Sequence, residues 1–597
     1  MKILWLDLNC SYAHSSLALP ALHAQVMHRT DVEWAVVRTT PSEPLGTVVD
    51  AICTQHPDVV AATAWLFTHE HLLHIIGRVK ALMPHVRVIL GGPEFLGDNE
   101  EYLRRHPEVD CVLRGEGEES FAQWLEVWDN PAEWGSVEGL CYLGSMLSAE
   151  SPESSEPLPE AELSRFVPAS KSQACLNSYS ERSQSSTTEL LIFNSQFSIY
   201  HDGGLARVMD FASLRAPEES PLFTWGKPFV QLETTRGCFN SCAFCVSGMG
   251  DPVRQLTIDD IRQRLTRIRE RGIRDVRILD RTFNYHPQRA IELLRLFAEY
   301  HPHLWFHLEI HPALLPQRVR EVLADMPHGL LHLEAGIQSL RQEVLDASLR
   351  KGSLEQSLDG LRYLCSLPNL VTHADLIAGL PHYTLAQIYE DIHTLAAYRA
   401  GEIQLESLKL LPGTLMRREA CRLGIRYSPL PPYEVLATEA ISSAELQEAR
   451  RLSRLLDAYY NTPAWQPLTQ RLILGEADFL HRFLEYLTAH NYIDQPLSLE
   501  RRGELLYLFC REHYPHYTTD AAVAWIEAGM SLKKRPAEGV RTKHVQPVEG
   551  WNVLYGEYAD TLRLCHLPVG DEGGGYWFGY DSTTQCVVPV FKATYLV

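Results

Sequence analysis

Three cysteines, Cys238, Cys242 and Cys245, stand in Glu233-Thr-Thr-Arg-Gly-Cys-Phe-Asn-Ser-Cys-Ala-Phe-Cys-Val246. Thiolates are the usual ligands of iron–sulfur clusters, and three of them can hold three irons of a cubane [4Fe–4S] cluster. The fourth iron then has no protein ligand and is open to a reagent. A zinc site is the competing reading. Zinc normally takes four N/S ligands, often in paired spacing, and this C-x3-C-x2-C run has no second C-x2-C to complete it. The other ten cysteines show no ligand spacing and predict no auxiliary cluster.

The elements around the cysteines predict how they are held. An apolar strand at 229–233 leads straight into the loop. Further strands are expected at 276–279, 305–310, 330–335, 371–377 and 403–408. Helices are expected at 257–271, 288–301, 316–326, 340–347, 354–367 and 385–398. Six strand–helix repeats predict a partial (β/α)6 TIM-like barrel, which builds its site at the carboxyl ends of its strands. Asp280, Glu309, Gln338, Arg350 and Asp375 fall at or near those ends. They offer a cation for a carboxylate and acceptors for an amine and for hydroxyls. Each alone has a structural alternative, such as capping the next helix. His307 and His311 share a strand face, but they serve a barrel wall as well as a metal pair.

Ahead of the barrel, apolar runs at 2–8, 32–37, 59–67, 86–90 and 111–113 alternate with amphipathic stretches such as 69–83 and 118–128. This pattern predicts an α/β, Rossmann-like, doubly wound parallel sheet. Two glycine-rich turns follow consecutive strands, Gly91-Gly-Pro-Glu94 and Gly115-Glu-Gly-Glu118, where such sheets bind ligands. The stretch 144–189 is rich in Ser, Glu and Pro and reads as a linker or insertion. Beyond 430 the chain turns mainly helical, over 437–460 and 472–491, then strand- and turn-like around Gly573-Gly-Gly-Tyr-Trp-Phe-Gly-Tyr580. The expected domains are 1–135, 136–224 (linker and connector), 225–425 (barrel) and 426–597.

Bulk properties narrow the class. The chain has 597 residues, 45% of them hydrophobic, and a formal charge of −21. Such a charge argues against broad electrostatic binding of nucleic acid. No apolar run is long enough to span a membrane. Thirteen cysteines without a signal peptide fit a reducing compartment, so a cytoplasmic location is expected.

The cysteine spacing, with Phe244 before the third cysteine, resembles the radical S-adenosylmethionine (SAM) superfamily. Gly336-Ile-Gln338, Arg350 and Asp375-Leu-Ile-Ala-Gly-Leu-Pro381 look like the branch containing oxygen-independent coproporphyrinogen dehydrogenase. That resemblance implies a [4Fe–4S] cluster on Cys238, Cys242 and Cys245. It also implies Gln338 and Asp375 near the SAM ribose and Arg350 near the SAM carboxylate. The family's Gly-Gly-Glu turn after the second strand is replaced by Asp280-Arg-Thr-Phe-Asn284, so Glu309 and Asp280 both remain open for the amine.

The chain as a whole is closer to cobalamin-binding radical SAM proteins. Asn9-Cys-Ser-Tyr-Ala-His-Ser-Ser-Leu17, Gly91-Gly-Pro-Glu94 and Arg114-Gly-Glu-Gly-Glu118 look like that family's N-terminal domain. The resemblance implies a cobalamin site at Gly91, Gly92, Pro93, Gly115, Glu116 and Gly117. No Asp-x-His-x-x-Gly is present, so no histidine is expected on cobalt, and His14, His69 and His71 read as ordinary residues. The implied reaction is methylation of an unactivated carbon, supplied with electrons by a donor such as flavodoxin or ferredoxin. Radical cyclisation or rearrangement is an alternative of the same class, and a non-catalytic SAM- or cobalamin-binding regulator one of another. The substrate and the catalytic residues are not legible.

Overall fold

Successive residues of β1 (Lys2–Leu8) enter two different cores. Leu4, Leu6 and Leu8 join one, and Ile3 and Trp5 the other. A strand buried on both faces must be apolar in this way. The computed structural model describes residues 1–11, 13–14, 16–144, 198–248, 252–530, 543–545, 562–568, 575–587 and 594–596. The Ser-, Glu- and Pro-rich stretch expected to be a linker lies outside the described residues, as do Gly573 and Gly574.

The chain divides into two compact units. The first comprises Met1–Arg281, Lys409–Arg422 and Tyr427–Glu434, and the second Thr282–Leu408, Leu423–Arg426 and Val435–Val597. In the first unit β1 is flanked by β2 (Glu33–Thr39) and β3 (Val59–Thr63), followed by β4 (Arg87–Gly91) and β5 (Cys111–Leu113), all parallel. Helices α1 (Ala18–Val26) and α5 (Gly117–Glu126) bury Leu19, Phe121 and Trp124 on one face. On the other, α2 (Leu45–Cys53), α3 (His69–Leu82) and α4 (Glu100–Arg105) bury Ile52, Ile76 and Leu103. The sheet is therefore doubly wound, and the order reverses at β1, where ligands of such sheets sit.

Two antiparallel strands, β6 (Leu140–Gly144) and β7 (Ile199–Asp202), extend this sheet beyond β5. They fall in the region expected to be linker and connector. The Ile-Tyr-His-Asp of β7 carries no apolar run to announce a strand. The connector after β7 is held by a bridge from Ala206 to Gly115, and by Glu218, whose buried carboxylate accepts from Arg264 at 2.8 Å.

The first unit also holds β8 (Phe229–Leu232), the hairpin strands β9 (Thr235–Arg236) and β10 (Arg254–Gln255), and β11 (Asp275–Ile278), which pairs in parallel with β8. Between β10 and β11 runs the helix Ile258–Glu270, started by a capping box of Thr257 and Asp260. In the second unit β12 (Trp305–Ile310), β13 (Leu331–Gln338), β14 (Val371–Ala378) and β15 (Glu402–Ser407) lie side by side in parallel. The helices Gln317–Ala324, Leu354–Ser366 and Leu385–Ala397 connect them. In chain order these are the six strands that the sequence predicts.

The C-terminal part is helical from Ser443 to Glu527 and then antiparallel, with Leu562–Pro568 against Gly575–Asp581. The single helix expected over 472–491 is two, Gln466–Gly475 and Phe479–Ala489. Gly475 ends the first, where a Cβ would lie 2.1 Å from the Tyr517 hydroxyl, and Asp478 accepts from Tyr514 at 2.7 Å between them. Among the described residues no helix is long and apolar enough to cross a membrane.

Candidate functional site

The cysteine loop is anchored at both ends. Where β8 ends, Thr234 and Thr235 donate their backbone N–H groups to one carboxylate oxygen of Asp280, at 2.7 and 2.8 Å. The Thr234 hydroxyl donates to the other oxygen. Asp280 is 1% exposed, and burial raises its carboxyl pKa against the pull of these donors. Its oxygens are taken up in holding the strand that delivers the loop. Gly237, at φ 91°, then turns the chain into Cys238, a conformation that favours glycine.

Within the loop the Cys245 N–H donates to the Cys242 carbonyl at 3.1 Å, and the Ser247 N–H points to Cys245 Sγ at 3.4 Å. Gly248 packs so closely that a Cβ would lie 2.6 Å from the Cys242 carbonyl oxygen. Met416 donates its N–H to Ala243 at 2.8 Å and braces the loop from outside. Cys242 is buried and its two neighbours half-buried, and none is in a disulfide. Three thiols presented by one braced loop suit an iron–sulfur cluster.

A cavity of about 380 Å³ opens beside this loop, all of it within the first unit. One wall is the carboxyl end of the β1–β5 sheet, with Trp5, Thr63, Gly91 and Gly92. The opposite wall is the cysteine loop itself, with Gly237, Val246 and Ser247. Gly91, Gly92, Gly115, Glu116 and Gly117 all line it, whereas Pro93 begins the following 3-10 turn and does not. Gly92 has φ 112°, and a Cβ there would stand 2.7 Å from the Thr63 methyl. At Gly115 a Cβ would stand 2.3 Å from the Ala206 carbonyl oxygen. The two turns thus approach neighbouring chain as only glycine permits.

Ion pairs clasp the cavity rim. Arg254 donates to both carboxylate oxygens of Glu116, at 2.6 and 2.8 Å, and Glu116 also accepts from the Val208 N–H at 3.0 Å. Arg236 lies against Glu118 at 2.6 Å and Glu233 at 2.8 Å. Burial pushes the Glu116 carboxyl pKa up, but the Arg254 hydrogen bonds and the Arg236 charge outweigh it and hold it below the usual range. The two arginines flank the cysteine loop as the facing residues Arg236 and Arg254 of the β9–β10 hairpin. Glu118, Glu233, Arg236 and Arg254 are not among the expected site residues; opposite charges in Arg114-Gly-Glu-Gly-Glu118 and Glu233-Thr-Thr-Arg236 are the signal for the first three, and Arg254 has none.

Among the described residues no histidine lines this cavity. His14 pairs with Ser11 at 2.9 Å and His69 with Tyr102 at 2.8 Å. The charged end of the Gly91–Glu94 turn faces elsewhere. Glu94 is buried and accepts from the Tyr433 hydroxyl, with Arg417 stacked 4.2 Å over the Tyr433 ring.

In the second unit the strand-end residues form their own group. The ladder between β13 and β14 shifts register between Gly336 and Gln338, where Gln338 takes φ 70°. Gly336 leaves room for Gln338 Nε2, which a Cβ would meet at 2.7 Å, and its carbonyl accepts from Arg350. Gly336, Gln338 and Arg350 therefore converge. The His311 ring also bonds the Lys351 carbonyl at 3.1 Å, which steadies the Arg350 loop. Asp375 pairs in register with Gly336, and burial raises its carboxyl pKa. Glu309 sits on β12 in register with Glu334, and its carbonyl accepts from Phe283 at 2.8 Å. Asn284, at the end of the motif that replaces Gly-Gly-Glu, bonds His311 N–H and carbonyl at 2.8 and 2.9 Å.

Comparison with known proteins divides the chain differently, because the radical SAM match begins in the first unit and ends in the second. The radical SAM superfamily matches residues 232–395 and the B12 binding domain residues 10–125, while a family described as a protein of unknown function (DUF4080) matches 422–524. The chain therefore joins a B12-binding domain to a radical SAM domain. Among its relatives is the cobalamin-dependent radical SAM methyltransferase TokK of Streptomyces tokunonensis, 23% identical over 62% of this chain and 49% of TokK. Another is the cytidylyl-2-hydroxyethylphosphonate methyltransferase of Streptomyces wedmorensis, 25% identical over 54% of this chain and 58% of that one. The chain thus spans about half the length of these curated relatives. The fold is that of the cobalamin-dependent S-adenosylmethionine radical enzyme OxsB, solved with aqua-cobalamin and SAM bound. The TM-score is 0.56 at 13% identity, over 88% of this chain and 78% of OxsB.

Proposed function

We propose that this protein is a cobalamin-dependent radical SAM methyltransferase acting on an unactivated carbon. The observation that carries the reading is the cavity with the B12-type strand ends on one wall and the cysteine loop on the other. Its glycine-lined floor and apolar sides, Trp5, Leu22, Ile89, Leu113 and Phe121 among them, suit a large flat ligand with polar edges. When bound, the cluster supplies one electron for cleavage of SAM, and the corrinoid supplies a carrier for the methyl group.

The chain's own residues do the rest. Cys238, Cys242 and Cys245 would hold the [4Fe–4S] cluster, which would supply a binding point for SAM and the electron for its cleavage. Arg350 meets the SAM carboxylate, Gln338 and Asp375 the ribose, and Glu309 the amine. Asp280, its oxygens engaged by Thr234 and Thr235, positions the loop instead. The Glu116–Arg254 and Glu118–Arg236 pairs hold the two walls of the corrinoid cavity together. A cytoplasmic one-electron donor such as flavodoxin or ferredoxin reduces the cluster.

The test is anaerobic reconstitution with cobalamin and methyl-labelled SAM. The protein is expected to retain a corrinoid whose cobalt(II) EPR spectrum lacks nitrogen splitting from a protein imidazole, and label is expected on a substrate carbon. Failure to bind any corrinoid with the cluster intact sinks the methyl-transfer reading. Corrinoid binding with SAM consumption but no label transfer favours cyclisation or rearrangement, and no SAM turnover under any condition favours a regulator. Arg350→Ala is expected to weaken SAM binding by about 1.5–3 kcal/mol, the loss of a charge-assisted hydrogen bond, with iron content unchanged. Calorimetric titration of the reconstituted variant checks it, and an unaltered affinity places Arg350 outside the SAM site.

A further inference from the structure

The second unit carries another group of ligand-type side chains, at the opposite end of its strands from Gln338. His332 is near the start of β13, His373 near the start of β14, and Glu402 begins β15 in register with His373. One donor atom from each of the three lies within 4.8 Å of the others. Their burial is graded, with His373 buried and the other two half-buried.

The His373 ring is held between two carboxylates. Its Nε2 approaches Asp375 to 2.9 Å, and its Nδ1 stands 3.9 Å from Glu402. The second distance is too long for a hydrogen bond. It is close to the separation of two donors on a common ion, because bonds of about 2.0–2.2 Å set neighbouring donors about 3–4 Å apart. The arrangement matches a carboxylate–histidine–metal relay, in which an outer carboxylate orients the ring and the other nitrogen faces the metal. Although buried, His373 Nε2 and Asp375 Oδ1 have no well-aligned hydrogen-bond partner.

Charge points the same way. Glu334, Asp375 and Glu402 all act on His373. Glu334 has the His307 ring at 2.9 Å, so Asp375 and Glu402 are the half-buried carboxylates left for His373 or an ion to balance. A protonated His373 supplies one charge, whereas a divalent ion supplies two and also uses the imidazole nitrogens as donors. Two imidazoles and one carboxylate suit Zn²⁺ and its transition-metal neighbours rather than Mg²⁺ or Ca²⁺.

We propose that His332, His373 and Glu402 bind one divalent transition-metal ion of the Zn²⁺ type, separate from the iron–sulfur cluster, tying β13, β14 and β15 together at their amino ends. The proposal does not rest on the methyl-transfer reading, although the two share Asp375, whose carboxylate stands behind His373 here. It is tested on the reconstituted full chain, equilibrated with Zn²⁺, desalted and analysed for zinc and iron. About one zinc per chain is expected, beside unchanged iron. His373→Ala is expected to reduce zinc to background, and Glu402→Gln to lower the affinity on the order of 100-fold. His328→Ala, an exposed histidine in a loop, keeps the zinc and controls for surface binding. Should His373→Ala misfold, shown by loss of the parent's circular-dichroism spectrum and melting transition, the half-buried Glu402 variant decides alone. Absence of stoichiometric zinc from the parent protein overturns the site, as does retention of zinc by a folded His373→Ala or Glu402→Gln variant. His373 would then be an ordinary strand residue held beside Asp375 and Glu402.

Discussion

Replacing Cys238, Cys242 and Cys245 together by Ala is expected to take the iron of anaerobically reconstituted protein from about four atoms per chain to background. Reductive cleavage of SAM is expected to vanish with it. The loss should be this complete because the thiolates come from one loop and no other cysteine spacing can substitute. The loop itself should survive. Its bracing runs through backbone groups, from Cys245 to Cys242 and from Met416 to Ala243, and through Asp280 beneath it. Iron analysis, EPR and product chromatography are the measurements. An unchanged iron content and spectrum would remove the basis of the whole functional reading.

Glu116→Ala is expected to cost about 3–5 kcal/mol, the usual consequence of removing one partner of a buried ion pair. Arg254 is 10% and Glu116 17% exposed in their side chains, so the guanidinium left behind is poorly hydrated. The Val208 N–H loses its acceptor in the same change. Because the pair clasps the rim of the cavity, corrinoid retention should fall alongside stability, while iron content stays. Denaturant titration of the full chain, and gel filtration after cobalamin loading, measure the two effects. Stability within about 0.5 kcal/mol of the parent, the range of ordinary surface changes, would show that the clasp contributes little. Glu116→Gln keeps an acceptor but not the charge, and should fall between.

Much of the fold is legible in the chain because the signals are local. β1 and β5 occupy the residues that the apolar runs predict, since a strand buried on both faces must be largely apolar, and β12 occupies its expected residues with every second side chain buried. Both glycine turns stand at strand ends, where their close approaches demand glycine. What escaped the sequence is non-local. β7 has no apolar run and joins the sheet by pairing with β6 and by packing Tyr200 against the core. The helix expected over 472–491 breaks because Tyr514 and Tyr517 reach in from another helix end.

The candidate sites divide along the same line. By itself the sequence determined the thiolate set, the order of the strand-end polar residues and the absence of an Asp-x-His-x-x-Gly histidine. Each of these is written in spacing within a few residues. Only the tertiary structure decided what those residues touch. Asp280 looked like a ligand contact, but its partners Thr234 and Thr235 lie about 45 residues earlier in the chain and take up its oxygens. Glu116 looked like part of a glycine turn, but it meets Arg254, 138 residues away. The convergence of His332, His373 and Glu402 depends on the register of three parallel strands, which no single stretch of chain encodes. A side chain's type sets the chemistry available to it, whereas its burial, its partners and so its charge state come from distant segments that folding brings alongside.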